Sequence, residues 1–258
     1  MAIDETASPI LVTGGTGLLG SQVVPLLRES GRPIRVVTRQ SRESADGVEY
    51  VNGDLLNDEG LPAAVAGVDT ILHLAGASKG DDKATENLVR AASAAGVRHI
   101  VYISVIGADR VPLGYFRSKF GAEQAVSGSG IPWTTLRAAQ FHDLVLTVMR
   151  SMTKMPVVPA PGGVRFQSVD SGEVAARLVE LTLSAPAGLV PDLAGPKVYE
   201  MKELLRGYLT ATGKHRLIMP MRFPGKAGKA YRNGDNLSLD GATGKRTWED
   251  FLAAKLAE

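Results

Sequence analysis

The feature that most constrains this chain lies near its start, where Ile10-Leu11-Val12-Thr13 runs directly into Gly14-Gly15-Thr16-Gly17-Leu18-Leu19-Gly20. A short apolar run that ends in glycines reads as a buried strand. Behind it, Leu19, Val23, Leu26 and Leu27 recur at helical spacing until Ser30-Gly31, a helix stop. Strand, glycine turn and amphipathic helix together make the opening unit of a parallel α/β sheet. Gly14 and Gly17 let the backbone turn sharply and approach a ligand with no side chain between, and Gly20 lets the helix pack closely on the sheet. Free N–H groups at the start of that helix, with its positive dipole end, attract phosphate. The turn from Gly14 through Thr16, Gly17, Leu18 and Leu19 is therefore a candidate cradle for a dinucleotide pyrophosphate. Pro25 interrupts the expected helix over 18–29 and predicts a bend or an irregular turn there.

Further strand and helix patterns alternate along the first 140 residues. Apolar runs at 34–38, 48–51, 69–75, 99–105 and 133–136 read as strands, and segments 57–66, 82–95 and 113–126 read as helices. That alternation predicts a doubly wound parallel sheet with helices on both faces. Beyond Gln140 the pattern weakens. Helices are expected at 141–152, 172–183, 201–212 and 247–256, whereas 155–163, with three prolines and two glycines, predicts a loop or short edge strand. The expected organisation is a dinucleotide-binding Rossmann domain over 1–140 and a smaller lobe over 141–258 that contacts substrate, with one continuous domain as the alternative.

The balance of 29 Lys and Arg against 27 Asp and Glu gives a net charge of +2, which offers no argument for nucleic acid or an anionic membrane as a partner. There is no cysteine, so disulfides, thiolate metal sites and a cysteine nucleophile are excluded. The acidic start Met-Ala-Ile-Asp-Glu-Thr lacks the basic residues and apolar run of a signal peptide. No stretch approaches the ~20 apolar residues that span a bilayer. A cytoplasmic protein acting on a small molecule is expected, with its oligomeric state left open.

The second strand ends in Val37-Thr38-Arg39-Gln40-Ser41-Arg42, with arginine where a protein that selects NAD usually places an acid for the ribose 2′-hydroxyl. A guanidinium there binds a 2′-phosphate through paired, charge-assisted hydrogen bonds. Arg39 therefore predicts NADP(H) over NAD(H), while Arg42 reads as surface. Asp54 is a candidate acceptor for the adenine amino group, with a simple turn-forming role as the alternative. Tyr115 and Lys119 stand four residues apart on one face of a predicted helix. An ammonium beside a phenol favours phenolate, so Tyr115 is a candidate proton donor to a substrate oxygen. Lys119 is a candidate ligand of the cofactor ribose, and Ser104, at the end of the fifth strand, a candidate ligand of the same substrate oxygen.

Taken together, Thr13 to Gly20, Gly53-Asp54-Leu55, His73-Leu74-Ala75-Gly76-Ala77 and Tyr115…Lys119 resemble atypical short-chain dehydrogenase/reductases, most closely the NmrA-like NAD(P)H-binding proteins. The likeness covers the first ~140 residues well, and Phe166 to Ala175 resembles a later strand-to-helix segment of that family. It implies a Rossmann domain, a cofactor lying over Ala75 and Gly76 with Asp54 and Leu55 in its binding site, and a small C-terminal lobe closing the substrate cleft. Tyr115 follows Ser104 by eleven positions, closer than in many extended members.

The expected activity is NADPH-dependent reduction of a carbonyl or conjugated enone, quinones included, on a small hydrophobic substrate. The rival is a cofactor-binding redox sensor without turnover, and a nucleotide-sugar epimerase is a third reading. No metal site is expected, because His73, His99, His142 and His215 show no ligand spacing. His142 reads as a surface or helix-capping residue. Val145, Val148, Met149, Met152 and Met155 read as core, with a substrate wall as the alternative.

Overall fold

The apolar strands foreseen at the start of the chain pair in parallel, most of them followed by a loop and a helix. The computed structural model describes residues 7–45, 47–76 and 79–257; Ala77 and the opening residues 1–6 lie outside them. In chain order the elements are β1 (Ile10–Thr13), α1 (Gly20–Arg28), β2 (Ile34–Thr38), β3 (Val48–Asn52), α2 (Leu61–Val65), β4 (Thr70–His73), α3 (Asp81–Ala94), β5 (His99–Val105), α4 (Gly114–Ser127) and β6 (Trp133–Ala138). There follow α5 (His142–Met152), β7 (Val157–Gly162), β8 (Arg165–Phe166), α6 (Ser171–Thr182), β9 (Gly188–Leu189), β10 (Leu193–Ala194), β11 (Tyr199–Glu200), α7 (Met201–Ala211), β12 (Leu217–Arg222), α8 (Gly225–Asn233), β13 (Ala242–Thr243) and α9 (Trp248–Lys255).

Two compact units draw on sequence from either side of residue 140. The first takes the described residues up to Ser104 together with Arg117–Leu136 and Val174–Val190. Its strands run β3-β2-β1-β4-β5-β6, with β9 paired to β6. This is the doubly wound order in which the chain starts in the middle, works outward to β3, then returns to the other side of β1. The switch point falls between β1 and β4, whose registers pair Ile10 with Thr70 and Thr13 with His73. Leu11, Ile71, Ile100 and Tyr102 are wholly buried from the sheet, and Leu61, Leu88, Ala122 and Val126 close over them from α2, α3 and α4. Strands buried on both faces need continuous rather than alternating apolar sequence, as these have.

The second unit comprises Val105–Phe116, Arg137–Glu173 and Pro191–Glu258. Its core gathers Val145 and Met149 of α5, Val158 and Ala160 of β7, Leu204, Leu205 and Tyr208 of α7, and Trp248, Phe251 and Leu252 of α9. Here the end of β6 pairs with β10, Ala138 opposite Leu193, and β10 with β13. The 155–163 segment is an edge strand: β7 pairs in parallel with β12 from Val157↔Leu217 to Gly162↔Arg222.

Pro25 lies inside α1 on an exposed position. Two local expectations change. The helix foreseen over 57–66 shrinks to Leu61–Val65, because Asp58 (φ 62°) and Gly60 (φ 70°) hold the preceding turn in left-handed conformations. His142, expected at the surface or as a cap, is wholly buried, bonded to Ser168 Oγ (3.0 Å) and to the Arg246 carbonyl (3.2 Å), with Phe251 against its ring.

Candidate active site

The glycine turn is shaped by its neighbours before any ligand is considered. Gly14 has φ 68°, and a Cβ there would stand 2.7 Å from the Ala75 nitrogen. A Cβ on Gly20 would meet the Gly14 carbonyl at 2.3 Å. These two glycines are demanded by the packing of β1 and α1. Gly17 is different, because its Cβ would meet only the Gly14 carbonyl, at 3.3 Å. The amides of Thr16, Leu18 and Leu19 donate to none of the described residues, and Leu18 is exposed. Unspent donors before the first turn of a helix suit a diphosphate, so the residues present fit the dinucleotide.

At the end of β2, Arg39 is exposed and pairs with none of the described residues, which leaves its fork of donors available. Arg42 lies over the Tyr50 ring, 5.9 Å from its centre. Asp54 is occupied by its own turn: Oδ1 accepts from the Leu56 and Asn57 amides (2.8 and 3.2 Å) and Oδ2 from Asn57 Nδ2 (3.2 Å). Leu55 turns its side chain into the core, while its carbonyl accepts from Asn87 Nδ2 at 2.8 Å.

Beneath Ala75 and Gly76 lies a buried polar chain whose proton positions follow from its ends. Thr85 Oγ1 donates to the Asp81 carbonyl (2.6 Å), so it accepts from His73 Nε2 (2.9 Å). That leaves His73 Nδ1 to accept from Thr13 Oγ1 (2.6 Å), which itself accepts from the Ala75 amide (3.1 Å). Every member is satisfied only with neutral, Nε2-protonated His73. Burial, and then the Lys119 charge, push the His73 pKa down to about 3. Lys119 is itself buried, its Nζ 3.0 Å from Asp81 Oδ2 and 5.2 Å from the centre of the Tyr102 ring. A Cβ on Gly76 would stand 3.1 Å from that Nζ, so the ammonium sits directly against the Gly76 backbone.

The site thus brings Gly14 to Ala75 and Gly76 to Lys119 within the sheet unit. Ser104 is also in this unit, but its Oγ donates to Glu123 Oε1 at 2.5 Å. Tyr115, in the second unit, is 40% exposed and meets the Phe116 ring edge-on at 5.5 Å. Sequence reading missed Asp81, Glu123 and Thr85, and quoted His73 in a motif without giving it a role. Two of them carried a signal: Glu123 follows Lys119 by four residues on the same helix, and Asp81 opens α3 directly after Gly80. His73 and Thr85 gave none, since their pairing depends on tertiary contact.

Comparison with known proteins agrees with this geometry. The family described as NAD(P)H-binding matches residues 14–184. A (4-alkanoyl-5-oxo-2,5-dihydrofuran-3-yl)methyl phosphate reductase from Streptomyces griseus is 33% identical over 83% of this chain and 76% of its own. An NAD(P)H azoreductase from Xenophilus azovorans is 29% identical over 80% and 74%. In fold, the chain is similar to an NADPH-dependent quinone oxidoreductase from Escherichia coli solved with NADPH, with a TM-score of 0.82, 21% identity, and 96% and 99% of the two chains covered. No helix among the described residues is long and apolar enough to cross a membrane. With the glycine turn, the free amides and the matched span coinciding, this chain belongs to the NAD(P)H-binding family and is an oxidoreductase.

Proposed function

We propose that the protein is an NADPH-dependent reductase of a carbonyl, conjugated enone or quinone on a small hydrophobic substrate. The observation that carries this reading is the set of unspent amides at Thr16, Leu18 and Leu19 in a turn with glycine at 14, 15, 17 and 20. The named activities of the relatives, on an alkanoyl-oxo-dihydrofuran phosphate, on azo compounds and on quinones, support an electron-poor acceptor. When bound, the cofactor supplies hydride. The chain's residues supply the rest. The amides hold the pyrophosphate, and Arg39 pairs with the 2′-phosphate. Asp54 borders the adenine, and Ala75 and Gly76, a methyl and no side chain at all, provide a low floor. Lys119 reaches the ribose past Gly76, and Tyr115 delivers the proton to the substrate oxygen.

The test is NADPH consumption measured across aldehydes, ketones, enones and quinones. Turnover with at least one class is expected, and Tyr115→Phe is expected to lower kcat by about 10²–10⁴, the usual contribution of a general acid. Unchanged turnover in that variant removes the phenol from the chemistry. Arg39→Ala is expected to weaken NADPH binding about tenfold or more while leaving NADH binding as it was.

A second reading has its own support. Lys119 is neutralised by Asp81, and Ser104 is committed to Glu123, so neither is free for a substrate oxygen in this arrangement. A redox sensor that binds the dinucleotide without turning it over would look like this. It predicts tight NADPH binding, no consumption with any acceptor, and different affinities for NADPH and NADP⁺.

A further inference from the structure

Whole-chain neutrality conceals one strongly one-signed stretch. Between Leu204 and Gly234 the sequence carries seven Lys and Arg and no Asp or Glu, in a chain whose totals differ by only two. Part of that stretch closes a cavity of about 610 Å³ in the second unit, lined along α7 by Lys202, Arg206 and Thr210 and from the following loop by Lys214, His215 and Arg216. No carboxylate among the described residues lines it.

The arrangement is built from the helix outward. Met201, Leu204, Leu205 and Tyr208 bury one face of α7, which leaves Lys202, Arg206 and Thr210, at i, i+4 and i+8, in line on the exposed face. Gly213 (φ 63°) then reverses the chain, with the Lys214 amide closing on the Leu209 carbonyl at 3.0 Å. That closure occupies a terminal helix carbonyl which would otherwise draw a cation, and carries the loop back beside the helix. Arg216 is held in place, with Nε donating to the Thr153 carbonyl (3.0 Å) and Nη1 to the His215 carbonyl (2.8 Å). Two of its five donors are used and its charge stays unneutralised. Lys214 Nζ lies 5.7 Å from the centre of the Tyr208 ring. None of Lys202, Arg206, Lys214 and Arg216 forms an ion pair among the described residues. Leu209, Leu217 and Ile218 complete the wall with apolar surface.

We propose that this cavity is a binding site for a small phosphorylated molecule, separate from the dinucleotide cradle. Four like charges gathered in one concavity repel one another, and a multiply charged anion relieves that repulsion; one- or two-charge ligands such as carboxylates relieve it less. Planar guanidinium donors match phosphoryl oxygens in pairs. The volume exceeds what a bare phosphate fills, and the apolar wall suits an organic remainder.

The test titrates inorganic pyrophosphate into the NADPH-saturated protein by calorimetry, so that the glycine turn is already filled. One saturable event is expected, weakening as salt is raised. In Lys202→Ala/Arg206→Ala its affinity is expected to fall about tenfold or more, with NADPH affinity and Tm unchanged, since both side chains are exposed on α7. No saturable heat at ~0.1 M salt, or an affinity the double variant leaves intact, overturns the site. A parallel arm with vesicles containing phosphatidylglycerol separates a soluble ligand from a lipid headgroup. Vesicle binding without pyrophosphate binding also overturns it.

Discussion

Three glycines in one turn look equivalent in the sequence and are not. Gly20→Ala pushes a Cβ to within 2.4 Å of the Gly15 Cα as well as against the Gly14 carbonyl, contacts that only backbone movement can relieve. Overpacking of this kind costs about 1–3 kcal/mol, so a urea titration should show a clear fall in midpoint. Gly17→Ala meets almost nothing in the protein, yet places a methyl where the pyrophosphate would approach. It should leave the midpoint within about 0.5 kcal/mol and weaken NADPH binding sharply. Equal destabilisation by both variants would mean that Gly17 is also structural. The sequence made this turn legible as a whole, because strand, glycines and helix are contiguous. It could not rank the glycines, since what crowds Gly14 is Ala75, some sixty residues away. The place of Arg39 just after β2 and of Lys119 on a helix could be read from the sequence. That Lys119 would be paired, and Ser104 turned to Glu123, could not.

At the scale of elements, Asp81 and Lys119 join the first turn of α3 to α4 through a pair that is 4% and 7% exposed. Desolvation makes such a pair a weak source of net stability, but removing one partner strands the other charge. Asp81→Ala should therefore cost about 3–5 kcal/mol, and the Asp81→Asn/Lys119→Met double variant should recover much of that loss. Denaturant midpoints of the single and double variants decide it, and a single variant no worse than the double would show the pair to be uncoupled. The sheet was legible because β1, β4 and β5 are largely continuous apolar runs with a glycine or polar stop, and most strands alternate with helices; the order β3-β2-β1-β4-β5-β6 was not written in that alternation. The second unit was less so. Strands β8, β10, β11 and β13 are two residues long, too short to carry a period, and β7 and β12 contain prolines that argue against pairing. Helix α2 was overread because Asp54, acting as the acceptor of its own turn, spends residues 56 and 57 outside the helix.

Across the whole molecule, three of the four histidines are buried and neutral, and this sets how the fold responds to acid. His73, held near 3 by burial and by Lys119, is joined by His99 and His142, both lowered chiefly by burial. Each has a native pKa below its unfolded value near 6.5, so between those limits the unfolded chain binds more protons than the native one. Stability then rises with pH: it is fully present above about 6.5 and is lost as pH falls below it, by up to about 1.4 kcal/mol per pH unit for each buried histidine. The carboxylates act later. Asp69, whose pKa is lowered by Arg32 and Arg98 against the opposing effect of burial, and Glu249, lowered by Tyr199 and Lys197 likewise against burial, contribute stability that disappears only as pH falls below the ordinary carboxylate range. Between pH 6.5 and 5 the histidines therefore act almost alone. Thermal unfolding followed from pH 8 to pH 5 should show a level Tm down to about 6.5 and then a steepening decline. A Tm that stays level to pH 5 would mean that His73 carries a proton inside the fold, and the neutral hydrogen-bonded chain from Asp81 through His73 to Ala75 would have to be abandoned.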